Sequence, residues 1–261
     1  MLLLCALCGA LSDPTLAQQN SDAGRPLGDR LINLDTPAMP PRGAVAFGGD
    51  LRVFGAQEDT TYGTLQLGYG LQDTVELLLR AGYAGTQEFA GSGFTIRHGG
   101  HDAELLAKLR TPQHPDWAVE LGVSAPNTPA QNGTYLTTQF LYQRPLGSRA
   151  TLVFVPKAVF VKDNPLIAIG GGASVRLGNT LQVIGDITGL VSGDNTRSIF
   201  SGDKQRGEVW GLALRFTSRS ASHDVMVDLG VTNGIGGTTG FSLTPGLSGS
   251  AAVYLSILLR R

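Results

Sequence analysis

Long segments whose side chains alternate in character at every second residue constrain this chain more than any other feature. Val75, Leu77, Leu79, Ala81 and Tyr83 interleave with Glu76, Leu78, Arg80 and Gly82. Ala103, Leu105, Ala107 and Leu109 interleave with Asp102, Glu104, Leu106 and Lys108. Val225, Val227, Leu229 and Val231 interleave with Asp224, Met226, Asp228 and Gly230. A period of two belongs to β-strands with two unlike faces. The pattern predicts twelve strands, over 43–55, 61–71, 74–85, 101–111, 117–125, 133–143, 150–162, 165–178, 180–191, 207–217, 223–232 and 249–260. Most are long enough, when tilted, to cross a bilayer, and about twice the usual globular strand.

The connections sort by length. Those at Leu71-Gln72-Asp73, 112–116, 145–149, Gly178-Asn179 and 218–221 are short. Those at 56–60, 85–100, 126–132, 192–206 and 233–248 are mostly longer, and Lys162-Asp163-Asn164 breaks the trend. Short turns at one end and long loops at the other describe an outer-membrane barrel with both termini in the periplasm. The expected fold is therefore all-β, a single closed antiparallel transmembrane β-barrel of about twelve strands spanning 43–261. In lipid the apolar face must point outward; in a soluble barrel the same alternation would be inverted. Strand length, loop asymmetry and the N-terminal segment favour lipid. A soluble barrel or sandwich that binds a ligand is the alternative fold.

Residues Leu2 to Leu11 form an apolar run of signal-peptide length, and Thr15-Leu16-Ala17 resembles a small-x-small cleavage site, though no Lys or Arg precedes the run. The expected division is a signal peptide over 1–17, a periplasmic N-terminal segment over 18–42 containing Pro26, Pro37, Pro40 and Pro41, and the barrel. Cys5 and Cys8 both fall in the signal, so the mature chain would carry no thiol; a lipid anchor at Cys8 is the alternative. Twenty basic residues face 21 acidic ones, giving a formal net charge of -1 and no basic excess for nucleic acid. Outer-membrane lipids and the outer-membrane assembly machinery are the expected partners, and the cell outer membrane the expected location.

The segment from Asn33 to Gly43 leading into a strand, and the run Tyr69-Gly70-Leu71-Gln72-Asp73-Thr74-Val75-Glu76-Leu77, resemble the Gram-negative outer-membrane barrels grouped as transporter-like proteins. These include the phenol meta-cleavage pathway outer-membrane proteins. The shared phrase is an aromatic-Gly-Leu-x-Asp turn followed by an alternating strand. The resemblance covers about a third of the chain, implies a transporter-like barrel, and transfers no substrate or site residue. The chain ends Leu259-Arg260-Arg261, where such barrels often carry an aromatic residue.

The polar face is the candidate site. It carries Asp50, Arg52, Glu76, Arg80, Glu104, Lys108, Glu120, Lys157, Arg176, Asp186, Glu208, Arg215 and Asp228, acidic and basic side chains interspersed. These are expected to line the lumen of a narrow passive channel for small solutes, or to pair as a salt-bridged plug. Glu76, Arg80, Glu104 and Lys108, on consecutive strands, are expected to form one inward cluster. A structural or surface-interaction barrel is the alternative, and an outer-membrane lipid hydrolase a weaker one. The hydrolase would need Ser124 and His101 in reach of each other, but the alternation puts them on opposite faces. His98 and His101 lack a third ligand for a metal. Gly170-Gly171-Gly172 lacks the Lys-Ser/Thr of a phosphate loop and reads as close packing within a strand. Asn132-Gly133-Thr134 reads as a chance match to a glycosylation sequon. No cofactor and no catalytic residue is expected.

Overall fold

The computed structural model describes residues 30–55, 60–91, 94–126, 133–198, 203–219, 223–246 and 250–261. The signal segment with its cysteines, and the first part of the N-terminal segment, lie outside these residues. Twelve antiparallel strands close one barrel: β1 (Val45–Phe54), β2 (Thr61–Gln72), β3 (Val75–Gly91), β4 (Phe94–Thr111), β5 (His114–Ser124), β6 (Tyr135–Leu146), β7 (Ala150–Phe160), β8 (Leu166–Arg176), β9 (Leu181–Ser192), β12 (Val209–Arg219), β13 (Asp224–Thr232) and β14 (Ala252–Arg260). A short ribbon, β10 (Thr196–Arg197) against β11 (Lys204–Gln205), stands in the β9–β12 connection. The barrel closes where β1 pairs with β14, Leu51 opposite Leu255 and Val53 opposite Val253.

One expected connection is corrected. Residues 85–100 are mostly strand, and the β3–β4 hairpin continues to Gly91 opposite Phe94. The ladder passes an irregularity between Ala84 and Gln87 and then resumes, so pairing between adjacent strands extends well beyond the expected strand ends.

Alternation along each strand sets the two faces. Leu65, Leu67, Leu121 and Leu229 are exposed on the outside, and Val119 and Val183 share that outward parity. Leu51, Leu79, Leu105, Leu214, Phe216, Leu255, Ile257 and many other large apolar side chains join them. Water would not tolerate so continuous an apolar girdle; a bilayer covers it, and this is the surface of a membrane-spanning barrel. Leu229 lies mid-strand, paired with Leu255 and Leu214. Leu229→Arg is expected to destabilise the barrel by about 2–4 kcal/mol in a bilayer, read as a lower urea midpoint in vesicles. An unchanged midpoint would place that face outside the hydrocarbon.

Two segments fold into the barrel. Residues 30–41, expected as a periplasmic lead-in, enter from the short-turn end, where Gly43 N–H donates to the Gly70 carbonyl. They turn at 31–34 and return with Arg30 paired to Asp35. The β13–β14 connection, expected as a long external loop, turns inward from the opposite end. Its Ile235, Thr238, Thr239, Phe241 and Leu243 are all buried, and its one turn of 3-10 helix spans Phe241–Leu243.

Candidate lumen site

Inward charges cluster on β1 and on β3 to β5, while Lys157, Asp186 and Arg215 stand singly among apolar positions on β7, β9 and β12. Strand register sets Glu76 opposite Lys108 and Arg80 opposite Glu104 on β3 and β4, and Glu120 opposite Lys108 on β5. The ion pairs follow: Arg80 to Glu104 at 3.1 Å, Lys108 to Glu120 at 3.1 Å and Lys108 to Glu76 at 3.4 Å. All five side chains are buried. Arg52 reaches Asp50 at 2.9 Å and lies over the Tyr254 ring. On β6 to β9 and β12 the inward positions include Leu141, Val153, Val155, Ile184 and Ala213. The sequence reading missed these inward apolar positions. Their signal was present in Ile184, set between Gln182 and Asp186.

The N-terminal hairpin matches both the charged and the apolar wall positions. Leu31, Ile32 and Leu34 are fully buried in one apolar cluster with Ala118, Leu141, Val153, Val155, Ile184, Ala213 and Tyr254. Burying side chains of this size stabilises by roughly 1.5–3 kcal/mol each. Glycines in the wall make the room. A Cβ on Gly172 would meet the Leu31 side chain, one on Gly170 the Leu34 side chain, and one on Gly211 would lie 2.8 Å from Ile32 Cγ2. Gly170 and Gly172, read from sequence as close packing within a strand, are seats for this hairpin.

Polar contacts complete the fit. The Asp35 carboxylate accepts from Arg80 at 2.7 and 3.1 Å and from Gln139 at 3.1 Å. The Asp186 carboxylate accepts the backbone N–H of Ile32 at 2.9 Å, that of Asn33 at 2.6 Å, and the Asn33 side-chain amide at 2.8 Å. Arg52 donates to Asn33 Oδ1 at 2.8 Å, Lys157 to the Asn33 carbonyl at 3.2 Å, and Arg215, held by Asp228 through two 2.7 Å bonds, to the Arg30 carbonyl at 2.8 Å.

Several of the same groups also hold the inward loop. Arg52 donates to the Gly234 carbonyl, Lys157 to Ser242 Oγ and Gln139 to Thr239 Oγ1. Glu104 accepts the Thr239 N–H at 2.9 Å, and Asp102 accepts from Thr238 and Ser124. Hairpin and loop therefore meet inside the barrel through shared side chains, one inserted from each end.

Of the residues proposed to line the lumen, Asp50, Arg52, Glu76, Arg80, Glu104, Lys108, Glu120, Lys157, Asp186, Arg215 and Asp228 point inward and are covered. Arg176 shares the inward parity but is half-buried at the short-turn mouth. Glu208 is corrected: it is exposed, precedes the first residue of β12, and has the parity opposite to the buried Val209, Ala213 and Arg215. The strand starts later than the sequence pattern suggested. The hydrolase arrangement is not assembled from its named residues. Ser124 donates to Asp102 at 2.7 Å inside the barrel, whereas His101 is exposed on the outer face. His98 pairs along the hairpin with Gln87.

Burial alone would raise the Asp35 pKa, but Arg80, Arg30 and Lys108 outweigh it and hold the carboxyl below its ordinary range. A carboxylate depressed in the folded state contributes fully above the unfolded pKa, about 3.9, and is lost only as pH falls through the lower folded value. The Asp35 contribution to seating is thus expected to persist throughout mildly acidic pH and to be lost only below about pH 4. Proteolytic protection of residues 30–41, measured against pH, checks this; loss of protection near pH 6 would contradict it.

No family model matches the chain, and no curated protein matches it. Solved structures do. An outer membrane channel from Pseudomonas putida superposes with a TM-score of 0.53 at 13% identity, over 93% of this chain and 98% of that one. The NanC porin gives a TM-score of 0.51 at 10% identity, over 82% of this chain and 98% of the porin. The likeness is one of fold: a closed barrel of the outer-membrane type.

Proposed function

We propose that this chain is a narrow outer-membrane channel for small polar solutes, shut in this structure by its own N-terminal hairpin, with the inward β13–β14 loop narrowing the lumen from the other end without closing it. The carrying observation is the division of labour inside the barrel. The wall supplies buried charges and glycine seats, and a segment outside the barrel wall fills them. A barrel with only a structural role could fill its interior with wall side chains alone, as small barrels do. Here the filling is a peptide hairpin joined to the wall by a single covalent connection at 42–44 and otherwise by non-covalent contacts, so it can leave without unfolding a strand. The Tyr69–Leu77 hairpin supports placing the chain among the transporter-like barrels that include the phenol meta-cleavage pathway proteins. Outer-membrane lipids would cover the apolar girdle, and the assembly machinery would insert the barrel.

Planar-bilayer recordings and vesicle swelling test this reading. The unaltered chain is expected to conduct in rare, brief openings, and variants that unseat the hairpin in sustained ones. The dense packing of the lumen favours one competing reading, a barrel that never conducts. Folded, unseated variants that pass neither ions nor sugars would establish it.

A further inference from the structure

The contacts between wall and hairpin are of a particular kind: the wall reads peptide groups. Asp186 accepts three hydrogen bonds from the hairpin, two of them from consecutive backbone N–H groups. Carbonyl oxygens of Arg30, Ile32, Asn33 and Ala38 accept from Arg215, Arg52, Lys157 and Lys108. A carboxylate on the hairpin receives two N–H groups of Arg80 in a fork. Among these lie apolar wall positions, with glycine-made recesses for aliphatic side chains. Peptide N–H acceptor, carbonyl donors, carboxylate fork and aliphatic recesses lie together within one lumen.

We propose that the hairpin occupies this site as an internal stand-in, and that the lumen, once vacated, binds short acidic peptides with an aliphatic residue beside the carboxylate. This rests on the channel reading and names its solute class. A neutral sugar offers hydroxyl groups to Asp186 and the cations but nothing for the Arg80 fork or the apolar recesses. A fork to a carboxylate is also geometrically selective, since two parallel N–H donors fix the plane of the acceptor.

The full chain carrying Asn33→Ala and Asp35→Ala keeps every wall residue and removes the hairpin's side-chain contacts to Asp186, Arg52 and Arg80. Barrel formation is verified by the shift in electrophoretic mobility on heating. The probes are a synthetic peptide of residues 30–41, the blocked tripeptide Asn-Leu-Asp, their Asp→Asn forms, and maltotriose. Both acidic peptides are expected to interrupt the current in a concentration-dependent way, and the Asn forms to do so about tenfold more weakly. Asp186→Ala added to the same chain is expected to weaken block by both peptides. If the barrel conducts but acidic peptide, amide form and maltotriose block alike or not at all, the peptide site is refuted and the channel stands. Gly211→Val serves as a second, uncharged means of release. If both folded variants stay silent, the channel reading fails, and this inference with it.

Discussion

Arg80→Ala is expected to turn a mostly closed barrel into a conducting one that prefers cations. Arg80 is buried and holds the Asp35 carboxylate at 2.7 and 3.1 Å and Glu104 at 3.1 Å. Removing one partner of a buried ion pair costs about 3–5 kcal/mol, because the remaining charge is left without compensation. Here the remaining charges are two carboxylates. Asp35 can recover water by leaving the barrel with its hairpin, so much of the penalty falls on the seated state. Each 1.4 kcal/mol moves the seated-to-unseated ratio about tenfold, so even half of that penalty shifts the ratio by about tenfold or more. Glu104 stays on β4 and cannot leave. With Arg80 gone, it and Glu120 line a passage that has lost one of its cations, and reversal potentials in a salt gradient should move toward the cation limit. Heat-shifted electrophoretic mobility separates opening from misfolding. A folded variant that is as quiet as the parent would show that Arg80 does not hold the gate. One that opens with unchanged reversal potential would place Glu104 away from the ion path.

The features legible in the sequence are those set by local alternation. Period two along β3, β4 and β13 is imposed by lipid on one side and a filled lumen on the other, so it survives in the residue order. The consecutive hairpins then fix Glu76 opposite Lys108 and Arg80 opposite Glu104 without knowledge of the rest of the fold. The hairpin at 30–41 was hidden for the opposite reason. Leu31-Ile32-Asn33-Leu34-Asp35 is too short to show a period, and prolines follow it. Its partners are remote: Ile32 N–H meets Asp186, 154 residues away in the chain. Its backbone is satisfied by wall side chains rather than by a neighbouring strand, and nothing in local composition announces that. The β13–β14 connection was hidden by its glycines and threonines, which read as a surface loop. Ile235, Phe241 and Leu243 within it were the available sign, since three large apolar residues in an external loop would face water. A Cβ on Gly82 would lie 2.8 Å from the Phe241 ring, so that loop too has its seat in a wall glycine.

Gly211→Val is expected to open the barrel as strongly as the loss of Arg80, and without any change of charge. The three atoms nearest to a Cβ at this position all belong to Ile32, at 2.8, 2.9 and 3.0 Å. None of these three belongs to the wall, and valine suits strands, so the crowding from the added side chain falls first on the hairpin. Overpacking typically costs about 1–3 kcal/mol, and a hairpin that backs away also forfeits the burial of Ile32 and its neighbours, roughly 1.5–3 kcal/mol for each large side chain exposed. Ile32→Ala alone should also loosen the hairpin, by the 2–5 kcal/mol typical of truncating a buried isoleucine. The two changes together are nearly volume-conserving, since the carbons added to the wall replace those removed from the hairpin. The double variant should therefore close more fully than either single one. That reversal is the decisive reading: two opening mutations that close the channel when combined must act at one interface. Arg80 remains in place throughout, so the open Gly211→Val barrel should be less cation-selective than the Arg80→Ala barrel. If the double variant is instead as open as the sum of the two, Ile32 does not sit against Gly211 in the closed channel and the seat lies elsewhere.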